Sequence, residues 1–171
     1  AFSAERPLST LATAMINCRI FPGEDPNDVK TELERIVNDP TVVVTRNDDR
    51  VVSTAHWLYM SLRRLGRDTE AAQVLVPIRR DMNVIENDTY HRLLLLYKGE
   101  LPVDSVLTVG PSGEMSVTDA TGAYGVGNWH LYNGRRAEAE RIFRRILAGG
   151  QWGAFGYIAA EAEMARMGLP R

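Results

Sequence analysis

Along the second part of the chain apolar residues recur at helical spacing, interrupted at regular intervals by glycine. Val51, Ala55, Leu58, Tyr59, Leu62 and Leu65 fall on one stripe, which predicts a helix that buries this face and ends before Gly66. Ala71, Ala72, Leu75 and Ile78 make a second stripe, with small residues in its first turn, so residues 51–80 read as two helices folded back on each other in a hairpin. Ile85, Tyr90, Leu93, Leu94, Leu96 and Tyr97 give the next predicted helix, 84–98, a wide apolar surface that calls for burial between neighbours. Its partner is short, 103–109, and the run Gly110-Pro111-Ser112-Gly113 reads as an irregular insertion. A helical pattern resumes at 119–132 with Gly122, Gly125 and Gly127 inside it. Each interior glycine costs about 1 kcal/mol against alanine, so three of them point to close helix packing on a small-residue face.

The first part of the chain carries a different period. The run 12–21 alternates, with Met15, Asn17, Arg19 and Phe21 on one side and Ala14, Ile16, Cys18 and Ile20 on the other, and predicts a strand stopped by Pro22-Gly23. Asp25-Pro26-Asn27-Asp28 reads as a helix start, with Asp25 as cap and Pro26 at the first helical position. Val29, Leu33, Ile36 and Val37 form that helix's stripe, and the β-branched run 41–45 reads as a second strand. The polar run 46–50 separates the two patterns. The expected organisation is therefore an arm and βαβ module over 1–48 and a helical domain over 49–171.

The helical part repeats. Leu65-Gly66-Arg67-Asp68-Thr69-Glu70-Ala71-Ala72-Gln73-Val74-Leu75 returns as Asn133-Gly134-Arg135-Arg136-Ala137-Glu138-Ala139-Glu140-Arg141-Ile142-Phe143, offset by 68 residues, twice 34. Gly99 stands one residue short of the intermediate register and Gly168 falls on the next one. With the Ala71/Ala139 position and the large apolar Leu75/Phe143 position, residues 50–168 resemble the tetratricopeptide repeat family. Ala55 and Ala123 stand where that family has its usual Trp. The resemblance implies a solenoid of helical hairpins that binds other proteins or peptides without catalysis. The fold expected is mainly α, a hairpin solenoid with a small N-terminal α/β module.

Residues 11–45, through Ala14-Met15-Ile16-Asn17-Cys18-Arg19-Ile20-Phe21-Pro22-Gly23 and the helix start at Asp25, resemble part of the dimerisation or lid domain of the aminoacylase/carboxypeptidase-type zinc peptidases. That resemblance implies a subunit-pairing module and does not carry peptidase activity over. The family's metal-binding motifs have no counterpart here, since His56, His91 and His130 are each followed by apolar or basic residues.

Composition narrows the chemistry. A formal net charge of −2 on 171 residues gives no whole-chain electrostatic footprint for nucleic acid or anionic membrane, and no apolar run approaches the roughly 20 residues of a membrane span. The basic residues cluster locally: Arg63, Arg64 and Arg67, then Arg135, Arg136, Arg141, Arg144 and Arg145, which read as a salt-bridged helix face or as a surface for an acidic partner. The single cysteine, Cys18, reads as a small buried hydrophobe. The three histidines lie on predicted helices among Trp57, Tyr90 and Trp129, which suits packing better than catalysis. No catalytic, cofactor-binding or metal-binding residue is expected. Asn87-Asp88-Thr89 has the form of a glycosylation acceptor at Asn87. A start at Ala1 without Met suggests processing, and with it an exported protein.

The last predicted helix, 152–167, sets the functional expectation. Trp152, Phe155, Tyr157 and Ile158 surround its first half, so one side packs on Ile142, Phe143 and Ile146 while the other meets water, and no second helix follows Gly168. These four residues are the expected interface. The reading is a non-catalytic interaction or structural protein that self-associates through its ends into a homo-oligomer or filament, binding itself and other proteins. Its alternatives are an extracellular fibre subunit and a zinc amidohydrolase fragment that keeps only part of the lid.

Overall fold

The computed structural model describes residues 14, 16, 25–107 and 115–170. Among them are seven α-helices: α1 (Pro26–Val37), α2 (Asp49–Arg64), α3 (Asp68–Leu75), α4 (Asp88–Tyr97), α5 (Val117–Tyr132), α6 (Arg136–Ala148) and α7 (Phe155–Arg166). The described fold is all-α, and this corrects the expected βαβ module. No strand occurs among the described residues. The run 41–45 is irregular, with Val42 and Val43 exposed; β-branched residues favour a strand only where a neighbouring strand offers hydrogen bonds and cover. The first predicted strand, Cys18 included, lies outside the described residues except for Ala14 and Ile16, both irregular and exposed.

The chain divides between Arg46 and Asn47. In the first part α1 starts as its residues dictate: the Asp25 side chain accepts from Asn27 N–H at 2.8 Å and Pro26 opens the helix. It ends at Asn38 in the left-handed conformation, and none of its residues is buried.

In the second part α2 folds back on α3, α5 on α6, and α7 packs on both α5 and α6, while α4 lies against α2 and α5. Four turns share one geometry. Gly66, Gly99, Gly134 and Gly168 all have φ between 70° and 78°. At each, the N–H of the following residue reaches back five positions, Arg67 to Leu62, Glu100 to Leu95, Arg135 to His130 and Leu169 to Met164, at 2.8–3.0 Å. Each glycine N–H closes the inner bond, as in the Schellman termination of a helix. The glycines inside α5 serve the other purpose. A Cβ on Gly125 would lie 2.6 Å from Leu93 Cδ1, and one on Gly127 would lie 2.5 Å from Phe143 Cε1, so the small-residue face is where α4 and α6 approach closely.

Several boundaries differ from the hydrophobic pattern. Helix α3 stops at Leu75 before Pro77, although Ile78 beyond it is fully buried. Helix α4 begins only at Asp88, and in place of the second helix predicted from residue 103 there is one 3-10 turn, Val103–Ser105. The late start of α4 has its cause in the predicted linker. Asp48 and Asp49 are buried, and the Asp49 carboxylate accepts from the backbone N–H groups of Ile85, Glu86 and Asn87 at 2.9–3.2 Å, holding 84–87 as a turn. Burial alone would raise the Asp49 pKa, but the hydrogen bonds from Asn87, Glu86, the Asn47 side chain and Ile85 outweigh it and hold it below the usual value.

Candidate functional site

The C-terminal half of α2 meets α5 and α7 around an open cleft of about 410 Å³, lined by Trp57, Met60, Ser61, Arg64, Tyr124, Asn128, Glu163 and Arg166. Two of these are polar side chains taken almost entirely from water. Asn128 sits between Gly127 and Trp129 and Glu163 between Ala162 and Met164, and they are 2% and 3% exposed. Arg64 ties both to α2: Nη1 donates to Asn128 Oδ1 at 3.2 Å and Nη2 to Glu163 Oε2 at 3.0 Å. Arg166, one helical turn on from Glu163, donates to its other oxygen at 2.7 Å.

Such a network costs desolvation and is worth keeping only if its members stay paired. Glu163 has both oxygens satisfied, whereas the two guanidiniums and one carboxylate leave the cleft with one net positive charge. With its oxygen held by Arg64, Asn128 is fixed in the floor of the cleft. Trp57 and Tyr124 form the apolar wall, their ring centroids 6.4 Å apart and 26° from parallel. The Tyr124 phenol is pushed up to about 12, by burial first and then by the Glu163 carboxylate, so it stays neutral and can donate.

The histidines are not brought together. His56 is fully buried, stacked on Tyr90 at 4.7 Å and 5.9 Å from Tyr97 by ring centroid, and its Nε2 has no hydrogen-bond partner. His91 donates from Nε2 to the Arg79 carbonyl at 2.7 Å, and His130 accepts at Nδ1 from Arg135 at 2.8 Å. No group of three or more His, Cys, Asp or Glu side chains spaced for a metal ion occurs among the described residues.

The predicted interface residues separate in their burial. Trp152 lies in the turn before α7 and is 78% exposed; Phe155 and Ile158 are 71% and 51% exposed, while Tyr157 is half-buried. Asn87 is half-buried at the start of α4, and its Nδ2 donates to the Asp49 carbonyl at 3.3 Å, the same nitrogen that would carry a glycan. Of the basic clusters, Arg63 lies over the Tyr132 ring at 4.6 Å and Arg135 over the Trp129 ring at 4.1 Å, so these two are committed within the fold. No helix is long and apolar enough to cross a membrane among the described residues.

Sequence reasoning missed the cleft as a unit. The signal it held was an Asn and a Glu each isolated on an apolar helix face, positions that demand buried partners. Comparison with known proteins returned no matching family model, no matching curated protein and no matching solved structure.

Proposed function

We propose that this chain is a non-catalytic protein-interaction module, in which tetratricopeptide-like hairpins hold the cleft between α2, α5 and α7 open for an extended segment of another polypeptide. The observation that carries this reading is the cleft itself: the exposed Arg166 guanidinium borders an aromatic wall of Trp57 and Tyr124, and all stand on helices fixed by packing. A peptide backbone presents carbonyl acceptors at regular intervals and apolar side chains between them, which suits that combination. Selection of a displayed random-peptide library tests it. Enriched peptides are expected to bind the wild type and to lose most of their affinity for Arg166→Ala, which leaves the Arg64–Glu163 pair in place, and for Trp57→Leu. Absence of enrichment, or equal binding to both variants, contradicts the reading.

A second surface favours self-association. Phe155 and Ile158 expose apolar area on a helix of the main body, and covering it is favourable by roughly 25 cal/mol per Å². A homo-oligomer built through this face is the economical way to remove that area from water.

A further inference from the structure

The repeat register relates α2, α5 and α7, with α4 lying against both α2 and α5. Adding 68 to a position in α2 gives its counterpart in α5, and a further 34 its counterpart in α7, the same steps that bring Gly66 onto Gly134 and Gly168. Thr54, Leu58 and Ser61 of α2 thus correspond to Gly122, Val126 and Trp129 of α5, and to Gly156, Ala160 and Glu163 of α7.

In α5 and α7 this side packs on a preceding helix. A Cβ on Gly122 would lie 3.0 Å from Thr89 Cγ2 of α4, and one on Gly156 would lie 2.3 Å from the Ala120 carbonyl oxygen of α5. Val126 and Ala160 are fully buried. On α2 the same side faces outward: Leu58 is 47% exposed, Thr54 and Ser61 are exposed, and so are Val51 and Leu65 one heptad to either side of Leu58.

The opposite side shows the converse. Thr121 and Tyr124 of α5 are buried, and a Cβ on Gly156 of α7 would lie 2.7 Å from the Thr121 Cα. Their counterparts one period on are Phe155 and Ile158, the exposed residues of α7.

We propose that these two faces belong to each other: α2 of one copy docks on α7 of a second copy, continuing between molecules the packing that α7 makes on α5 within one. The centres of the two faces are uncharged, Val51, Thr54, Leu58, Ser61 and Leu65 on the α2 side and Phe155, Ile158 and Ala162 on α7, with Arg50 and the Glu163-paired Arg166 at their exposed margins. Thr54 stands where α7 has Gly156, so the joint between copies is wider than the α5–α7 contact. Phe155, larger than the Thr121 whose place it takes, is the side chain that fills it. Because the faces differ, the contact is heterologous, and it propagates head to tail unless the rotation closes a ring.

The inference rests on the self-association proposed above and adds which face meets which. Sedimentation velocity over a range of concentrations tests it on the wild type, on Leu58→Glu, and on a Phe155→Glu, Ile158→Glu double variant, with helicity by circular dichroism as the check of folding. The wild type is expected to associate with rising concentration. Each variant alone is expected to remain monomeric, and an equimolar mixture of the two to form a dimer, because the intact α7 face of one meets the intact α2 face of the other. Should Leu58→Glu lose helicity, Thr54→Lys on the same exposed stripe replaces it. If the α2 variant associates like the wild type, self-association stands and the head-to-tail pairing is refuted. A mixture that stays monomeric also refutes the pairing, and a wild type that is monomeric throughout refutes both.

Discussion

His56 is a fully buried imidazole with an unpartnered ring nitrogen. Burial among Trp57, Tyr90 and Tyr97 lowers its pKa from 6.5 to about 3, and its Nε2 has no partner. A folded-state pKa below the unfolded one means that the unfolded chain binds the extra proton. The fold is therefore at full strength above about pH 6.5 and loses stability as pH falls toward 3, at about 1.4 kcal/mol per pH unit. His56→Phe, which keeps the stacking and removes the orphaned nitrogen, is expected to flatten the pH dependence of chemical denaturation between pH 6 and pH 4. Equal acid slopes for the two proteins would contradict the assignment. At this scale the sequence was only half legible. That His56 packs in the core could be read from its helical setting, but the partnering of Arg64 with Asn128 and Glu163 spans 64 and 99 residues, and no local pattern encodes it.

At the scale of elements, glycine does two jobs and only one is visible from spacing. Gly134 has φ 78° and open space around a hypothetical Cβ, so its requirement is backbone conformation alone. Gly134→Val is expected to cost roughly 1–2 kcal/mol or more through left-handed strain. Gly156→Ala meets a backbone carbonyl oxygen at 2.3 Å and is expected to cost at least as much, through displacement of α7 from α5. Thermal melts of the two variants decide this, and a wild-type melting temperature for Gly134→Val would show that the hairpin register is misplaced. The turn glycines were legible because a period repeats them. The start of α4 was not, because it is set by Asp49, 36 to 38 residues away along the chain. The capping box of α5, Ser116 with Asp119, is a local signal that the apolar pattern passed over.

Among the described residues of the second part, α2 packs on α3, α5 on α6 and α7 on both α5 and α6, helix packing compatible with a repeat, so an exposed position can be compared with its buried counterparts. The helical part was readable because each hairpin carries its own stripe and its own stop. The expected strand over 41–45 was not realised, since alternation and β-branching supply a propensity and leave the pairing partner unspecified. Placing this chain among interaction proteins depends on its exposed helix faces meeting other chains. Hydrogen–deuterium exchange of the wild type at low and high protein concentration tests that most directly. Amides in 51–65 and 155–165 are expected to slow as concentration rises while those of 136–148 stay unchanged; identical exchange at every concentration in all three segments would contradict self-association through these faces.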